Sequence, residues 1–128
     1  MRYLLDTQII LWYIEDQGKL PSKIVNIIDN ESNEIAVSLV SLWEIAIKIN
    51  LGKLTLSMEV PALIDCLEDN DFTMLKLESS YITALLSLPD IHKDPFDRLL
   101  ISAAISENMV LITSDGNIHK YSIPTIWN

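Results

Sequence analysis

One cysteine, two histidines, three glycines and nine basic residues among 128 set narrow limits on what this chain can be. Cys66 stands alone, so no internal disulfide can form, and with only two histidines beside it the chain cannot supply a tetrahedral zinc site. A reducing, cytoplasmic setting fits that usage. Gly18, Gly52 and Gly116 are too scattered for the glycine-rich turn that a dinucleotide-binding domain needs after its first strand. No apolar run approaches the ~20 residues of a membrane span. Asp6 interrupts the N-terminus before a secretory hydrophobic segment could form, so the mature chain is expected to start at Met1. Nine Lys and Arg against eighteen Asp and Glu leave a net charge of -9, which argues against tight, nonspecific nucleic-acid binding through phosphate neutralisation. Bound cations would offset part of that excess wherever a phosphate had to sit.

What the chain has in quantity is apolar residues. At 49% hydrophobic and 21% charged, residues 1–128 suit a single domain, and one of this size buries roughly two-thirds of its unfolded surface. Short buried strands are expected at 2–5, 35–39, 73–77 and 109–113, with a last edge strand at 125–127. Helices are expected at 9–15, 22–30, 41–51, 58–70, 78–88 and from Pro95 to about 108, with a short one at 117–121. Asp94 before Pro95 reads as an N-cap followed by proline at the first helical position, and Gly52 as a helix stop. Strands alternating with helices imply right-handed crossovers and a mainly parallel central sheet covered on both faces, a three-layer α/β/α sandwich.

Four acids, Asp6, Glu44, Asp97 and Asp115, each follow an expected strand or open an expected helix. In an open parallel sheet such positions converge on the crevice outside the carboxyl ends of the strands. Four carboxylates there would offer hard oxygen ligands suited to Mg²⁺ or Mn²⁺. Each acid also has a structural explanation. Ser41-Leu42-Trp43-Glu44 is a capping-box pattern, in which Glu44 would reach back to the Ser41 N–H. Asp94 suits a cap better than a ligand, Asp97 suits a first helical turn, and Asp115 before Gly116 suits a turn. Asp6, between an apolar strand and an apolar helix, is the hardest to explain structurally.

Jointly, the structural explanation weakens. Two carboxylates about 4 Å apart repel by roughly 4 kcal/mol at an effective dielectric of about 20, against a stability of ~5 to 15 kcal/mol for a whole domain. Either protons are taken up or a divalent cation holds the cluster. Around the four, His92 and His119 suit surface or capping positions, Arg98 suits pairing with a neighbouring carboxylate better than gripping a phosphate, and Trp12 and Trp43 suit core or interface positions.

Four segments, LLDTQIILW, SLVSLWEIAIKINLGKL, DIHKDPFDRLLISAAI and VLITSDGNIHKY, span nearly the whole chain. In kind and order the set resembles the PIN-domain family, and within it the VapC-type toxin ribonucleases of type II toxin–antitoxin pairs. The resemblance implies that Asp6, Glu44, Asp97 and Asp115 surround one or two Mg²⁺ or Mn²⁺ ions, with the Thr7, Ser41 and Thr113 hydroxyls near the metal and Asp94 at its rim. It implies endonucleolytic cleavage of RNA by a metal-activated water that leaves a 3′-hydroxyl. It further implies a homodimer neutralised by a small antitoxin whose tail fills the acidic groove. Gln8 departs from the histidine often found in relatives, at a position not expected to be a ligand.

Two other classes with Asp after a strand fit poorly. A receiver domain needs a neighbouring pair of acids, and a haloacid-type phosphatase needs a second Asp where Gln8 stands. The rival that remains is a noncatalytic PIN-fold protein-binding module, whose sign would be a missing member of the acidic quartet. The apolar side chains at 9–13 and 43–51 exceed what a thin sheet obviously needs, which fits a partner surface.

Overall fold

The computed structural model describes residues 1–128. Strands β1 (Arg2–Leu5), β2 (Glu34–Ser38), β3 (Thr73–Leu75), β4 (Val110–Ile112) and β5 (Thr125–Ile126) form one sheet in the order β3-β2-β1-β4-β5, every pair parallel. Between them run α1 (Thr7–Glu15), α2 (Ser22–Asp29), α3 (Leu39–Asn50), α4 (Val60–Asp69), α5 (Ser79–Leu85), α6 (Pro95–Glu107) and α7 (Gly116–His119), with a 3-10 turn at Gln17–Lys19. The expected three-layer α/β/α sandwich is the architecture observed. No helix is long and apolar enough to cross a membrane.

Alternation of side chains along each strand divides the core in two. Tyr3 and Leu5 of β1, Ile35 and Val37 of β2 and Ile112 of β4 face one way, where they meet Ile9, Ile10, Ile24, Ile28, Leu42, Ile45, Leu63 and Leu67. Leu4, Ala36 and Leu111, the intervening residues, face the other way and meet Tyr81, Leu100, Ile101, Ala103 and Ala104 of α5 and α6, together with Ile118 and Tyr121. The period of two in a strand makes this split automatic once both faces are covered. Parallel register then stacks like on like: Leu4 lies beside Ala36 on one side and Leu111 on the other.

The strand order carries the functional consequence. From β1 the chain moves outward to β2 and then β3, and returns to lay β4 and β5 on the other side of β1. The direction of winding reverses at β1, so the crevice beyond its carboxyl end is the switch point where open α/β sheets bind ligands. Asp6 is the first residue past that end, and its N–H continues the ladder to Ile112 O at 3.0 Å.

Several boundaries differ from those expected. Helix α1 starts at Thr7, not Ile9, because the Asp6 side chain caps it. Helix α3 starts at Leu39, not Ser41, because Ser38 is its N-cap and accepts from Val40 N at 3.0 Å. The capping box read in Ser41 to Glu44 is therefore absent, since both residues lie inside the helix. Strand β3 ends at Leu75 and α5 at Leu85, each short of its expected limit. The Asp94 cap and Pro95 start of α6 stand as expected, with Asp97 N donating to Asp94 Oδ1 at 3.0 Å. Gly52 follows α3 with φ +72, a conformation that favours glycine.

Candidate metal centre

Each of the four acids reaches the crevice from a different element. Asp6 arrives at the end of β1, Glu44 from the second turn of α3, Asp97 from the first turn of α6, and Asp115 from the turn between β4 and α7. Helix α3 packs against both α1 and α6, which brings the Glu44 and Asp97 helices to the same end of the sheet. Asp6, Glu44 and Asp97 are buried. The side chains lie close enough for their charges to act on one another: Asp115 and Glu44 both push Asp6 toward its neutral form, and Asp6, Asp94 and Asp115 do the same to Asp97.

Burial is the larger cause in both cases. Loss of solvent lifts the Asp6 carboxyl from its ordinary 3.8 to about 6, opposed by hydrogen bonds from the Thr113 hydroxyl and the Thr7 N–H. The Thr113 hydroxyl donates to Asp6 Oδ2 at 2.8 Å and the Thr7 N–H to Oδ1 at 2.7 Å. Asp97 is lifted to about 7 by the same desolvation, opposed by His92. His92 Nε2 lies 3.1 Å from Asp97 Oδ2.

Little positive charge is supplied in return. The only lysine or arginine nitrogen within salt-bridge reach of the four acids is Lys48 Nζ, 3.1 Å from Glu44 Oε2 and one turn along α3. The other oxygen, Glu44 Oε1, is buried with no hydrogen-bond partner. A buried acceptor left without a donor costs about 1 to 3 kcal/mol, so it marks a place where something electropositive fits. Oxygen-only donors, an orphaned carboxylate oxygen and two acids lifted by burial together suit a hard divalent cation. In the rotamers adopted, no three acids converge on a single ion-sized point. All four are otherwise engaged: beside the Asp6 and Asp97 contacts above, Asp115 Oδ1 accepts from Asn117 N at 2.8 Å as the cap of α7, and Glu44 Oε2 is held by Lys48.

The Thr7, Ser41 and Thr113 hydroxyl residues are all buried. Thr7 Oγ1 donates to Ser41 Oγ at 2.9 Å, joining α1 to α3. Thr113 serves twice, donating to Asp6 and accepting from Asp115 N at 3.0 Å, so one side chain ties the ends of β1 and β4 together.

Two expectations need correction. Asp6, which resisted a structural explanation, caps α1, whereas Glu44 caps nothing. Arg98 pairs with no carboxylate: its Nη1 donates to Pro89 O at 2.9 Å, His92 O at 3.3 Å and the Tyr121 hydroxyl at 3.0 Å. Trp43 lies outside the core, 59% exposed, with its ring edge-on to Phe96 at 5.2 Å. Trp12 is half-buried against Trp127.

Of the two histidines, one touches an acid and the other has a structural role. His92 touches Asp97 directly. His119 donates from Nε2 to Thr113 O at 2.8 Å while Nδ1 accepts from Thr125 Oγ1 at 2.7 Å, so it staples α7 to β4 and β5. The one local signal for His92 is its position in the DIHKDPFD segment, five residues before Asp97.

A parallel α/β sheet with an acidic crevice at its switch point defines a class of domain built to hold divalent cations against anionic substrates. Residues 3–124 match the family model described as PIN domain, and the chain belongs to that family, whose domains are generally nucleases that use divalent metals. No curated protein is matched by the chain. Among solved structures it is similar to VapBC2 from Rickettsia felis bound to a promoter DNA fragment, at 19% identity and TM-score 0.74, covering 100% of both chains. It is similar also to VapBC-1 from nontypeable Haemophilus influenzae, at 19% identity and TM-score 0.66 over 98% of this chain and 97% of that one. A third is VapBC-5 from Mycobacterium tuberculosis, described as a member of a toxin–antitoxin family, at 15% identity and TM-score 0.62 over 99% and 98%.

Proposed function

We propose that residues 1–128 act as one domain, a Mg²⁺- or Mn²⁺-dependent endoribonuclease that is the toxin of a type II toxin–antitoxin pair and works in the cytoplasm. The observation that carries the reading is the gathering of four carboxylates from separate segments at the switch point, with Glu44 Oε1 buried and unpartnered among them. Asp6, Glu44, Asp97 and Asp115 would hold the ion or ions. Bound there, a divalent cation would lower the pKa of a water molecule and offset the charge of the phosphodiester. Thr113 and Thr7 N–H fix the Asp6 carboxylate, and Asp94 fixes the first turn of α6 so that Asp97 projects into the crevice. The cation also answers the charge objection, because a chain of net charge -9 can approach a polyanion where its own acids are already neutralised.

The partner reading rests on α3 and the residue after it. Leu39, Trp43 and Leu51 are 40%, 59% and 62% exposed, large apolar side chains that suit a homodimer mate or the antitoxin. Sedimentation of the purified chain should give a particle of two chains. A strict monomer that also binds no co-encoded small protein would remove this part of the proposal.

Cleavage of a labelled RNA, compared in Mn²⁺, Mg²⁺ and excess EDTA, tests the activity. Internal cuts in either metal, lost in EDTA and lost again in Asp97→Asn, are expected. Unchanged cleavage in EDTA would remove the metal from the proposal, and no cleavage in any metal although the chain binds it would leave the noncatalytic module as the better account.

A further inference from the structure

We infer that Arg98, Tyr121 and His92 form a hydrogen-bond relay that holds the His92 ring with Nε2 on Asp97, and that His92 is thereby the positioning residue for the Asp97 carboxylate. The inference deepens the metal-centre reading above and rests on it for its consequence, though not for its geometry.

The direction follows from counting donors and acceptors. Arg98 is always charged and can only donate, so at 3.0 Å from the Tyr121 hydroxyl its Nη1 gives a proton to that oxygen. The phenol keeps its own proton to donate. His92 Nδ1 lies 2.8 Å away and accepts it when the ring is neutral. In a neutral imidazole the other nitrogen is then the donor. Nε2 lies 3.1 Å from Asp97 Oδ2, and in its ionised form Asp97 offers only acceptors, so the last link of the chain then closes with Nε2 as the donor. The opposite tautomer would set the Nε2 lone pair against a carboxylate oxygen and leave the phenol proton without an acceptor.

Position is fixed as firmly as direction. Arg98 Nη1 also binds Pro89 O and His92 O, so one guanidinium pins the loop that carries His92 and the phenol that orients its ring. The two rings meet edge to face at 5.5 Å, and the His92 and Asp97 side chains are each only 13% exposed. Asp97 is thus held from two sides, its backbone N–H by Asp94 and its Oδ2 by His92, which leaves Oδ1 for the crevice. Hydrogen bonds of this kind behind a ligating carboxylate typically raise metal affinity 10–100-fold.

Two measurements on the whole chain test it. Long-range ¹H–¹⁵N correlation spectra of the metal-free protein at alkaline pH should show His92 neutral with its proton on Nε2, and Tyr121→Phe should convert it to a mixture of tautomers. Calorimetric titration with Mn²⁺ should show His92→Ala weakened about tenfold or more, and His92→Gln, which restores an amide donor toward Asp97, within about threefold of the parent. A proton on Nδ1 in the parent, or His92→Ala binding Mn²⁺ as tightly as the parent, would overturn the relay. So would His92→Gln binding no better than His92→Ala, because a residue that merely packs the loop is not rescued by a donor. A parent chain that binds no Mn²⁺ would sink the metal-centre reading instead, and the spectrum of the metal-free ring would still decide the relay.

Discussion

Asp6→Asn is expected to lower metal-dependent RNA cleavage by about a thousandfold or more while raising the thermal transition of the metal-free protein at pH 8. A divalent ion supplies several kcal/mol of transition-state charge stabilisation, and about 4 kcal/mol corresponds to roughly a thousandfold in rate. Asp6 stands at the switch point itself, between the ends of β1 and β4, so on the proposed reading its loss removes a carboxylate that no neighbour replaces. The stability gain has a separate origin. Burial lifts the Asp6 carboxyl from 3.8 to about 6, so holding it ionised at neutral pH costs the folded state about 3 kcal/mol. Asparagine is uncharged and keeps both contacts, since its oxygen can accept from Thr7 N and its amide can donate to the Thr113 hydroxyl. Activity and melting temperature therefore move in opposite directions, which general damage to the fold cannot produce. Cleavage within tenfold of the parent would remove Asp6 from the centre, and a lowered transition would show that its cap on α1 outweighs its charge.

The same residue shows what can be read from the chain and what cannot. The sheet is legible because a parallel strand covered on both faces is a continuous apolar run, and Tyr3-Leu4-Leu5, Ile35-Ala36-Val37 and Val110-Leu111-Ile112 are such runs. The acids follow from the sheet, since whatever comes directly after a parallel strand or opens the next helix must lie at one end of it. Their local roles do not follow, and for two of them they are reversed. Asp6 is followed by Thr7 and Gln8, neither of which looks like a helix start, yet Asp6 caps α1. Glu44 fits a capping box on paper, but the cap is Ser38, three residues upstream of Ser41, and this places Glu44 a full turn deeper into the helix with one oxygen orphaned. A shift of three residues in the helix cap thus separates a structural role for Glu44 from a free carboxylate oxygen. The same shift accounts for Trp43, because the apolar residues of α3 nearly encircle it and only the packing of Leu42 and Ile45 inward decides that Trp43 points out. His92 could not be assigned from its neighbours at all. Its role depends on Tyr121, 29 residues away, and on which nitrogen that phenol engages.

Stability of the metal-free protein should fall as pH rises from about 5 to 8, and saturating Mn²⁺ should reverse that slope. Both lifted carboxyls bind their protons more tightly in the folded chain than in the unfolded one. Their destabilising contribution is therefore absent below the ordinary value of 3.8, grows through about 6 for Asp6 and about 7 for Asp97, and is complete above that. For Asp6 alone the change between pH 5 and 8 is about 1 to 2 kcal/mol, and each kcal/mol moves the transition of a domain this size by roughly 3 to 5 °C. A divalent cation needs the acids ionised, so it competes with these protons and binds more tightly as pH rises. At a ten-thousandfold excess over its dissociation constant it adds about 5.5 kcal/mol, enough to cancel the losses from both acids and turn the curve upward. Scanning calorimetry across this range, with and without Mn²⁺, reads the two slopes directly. Parallel curves would mean that the cation binds away from Asp6 and Asp97. A metal-free curve that rises toward pH 8 would mean that the crevice already satisfies its negative charge without an ion, through Lys48 and the hydroxyls, and that its acids are there to hold the fold.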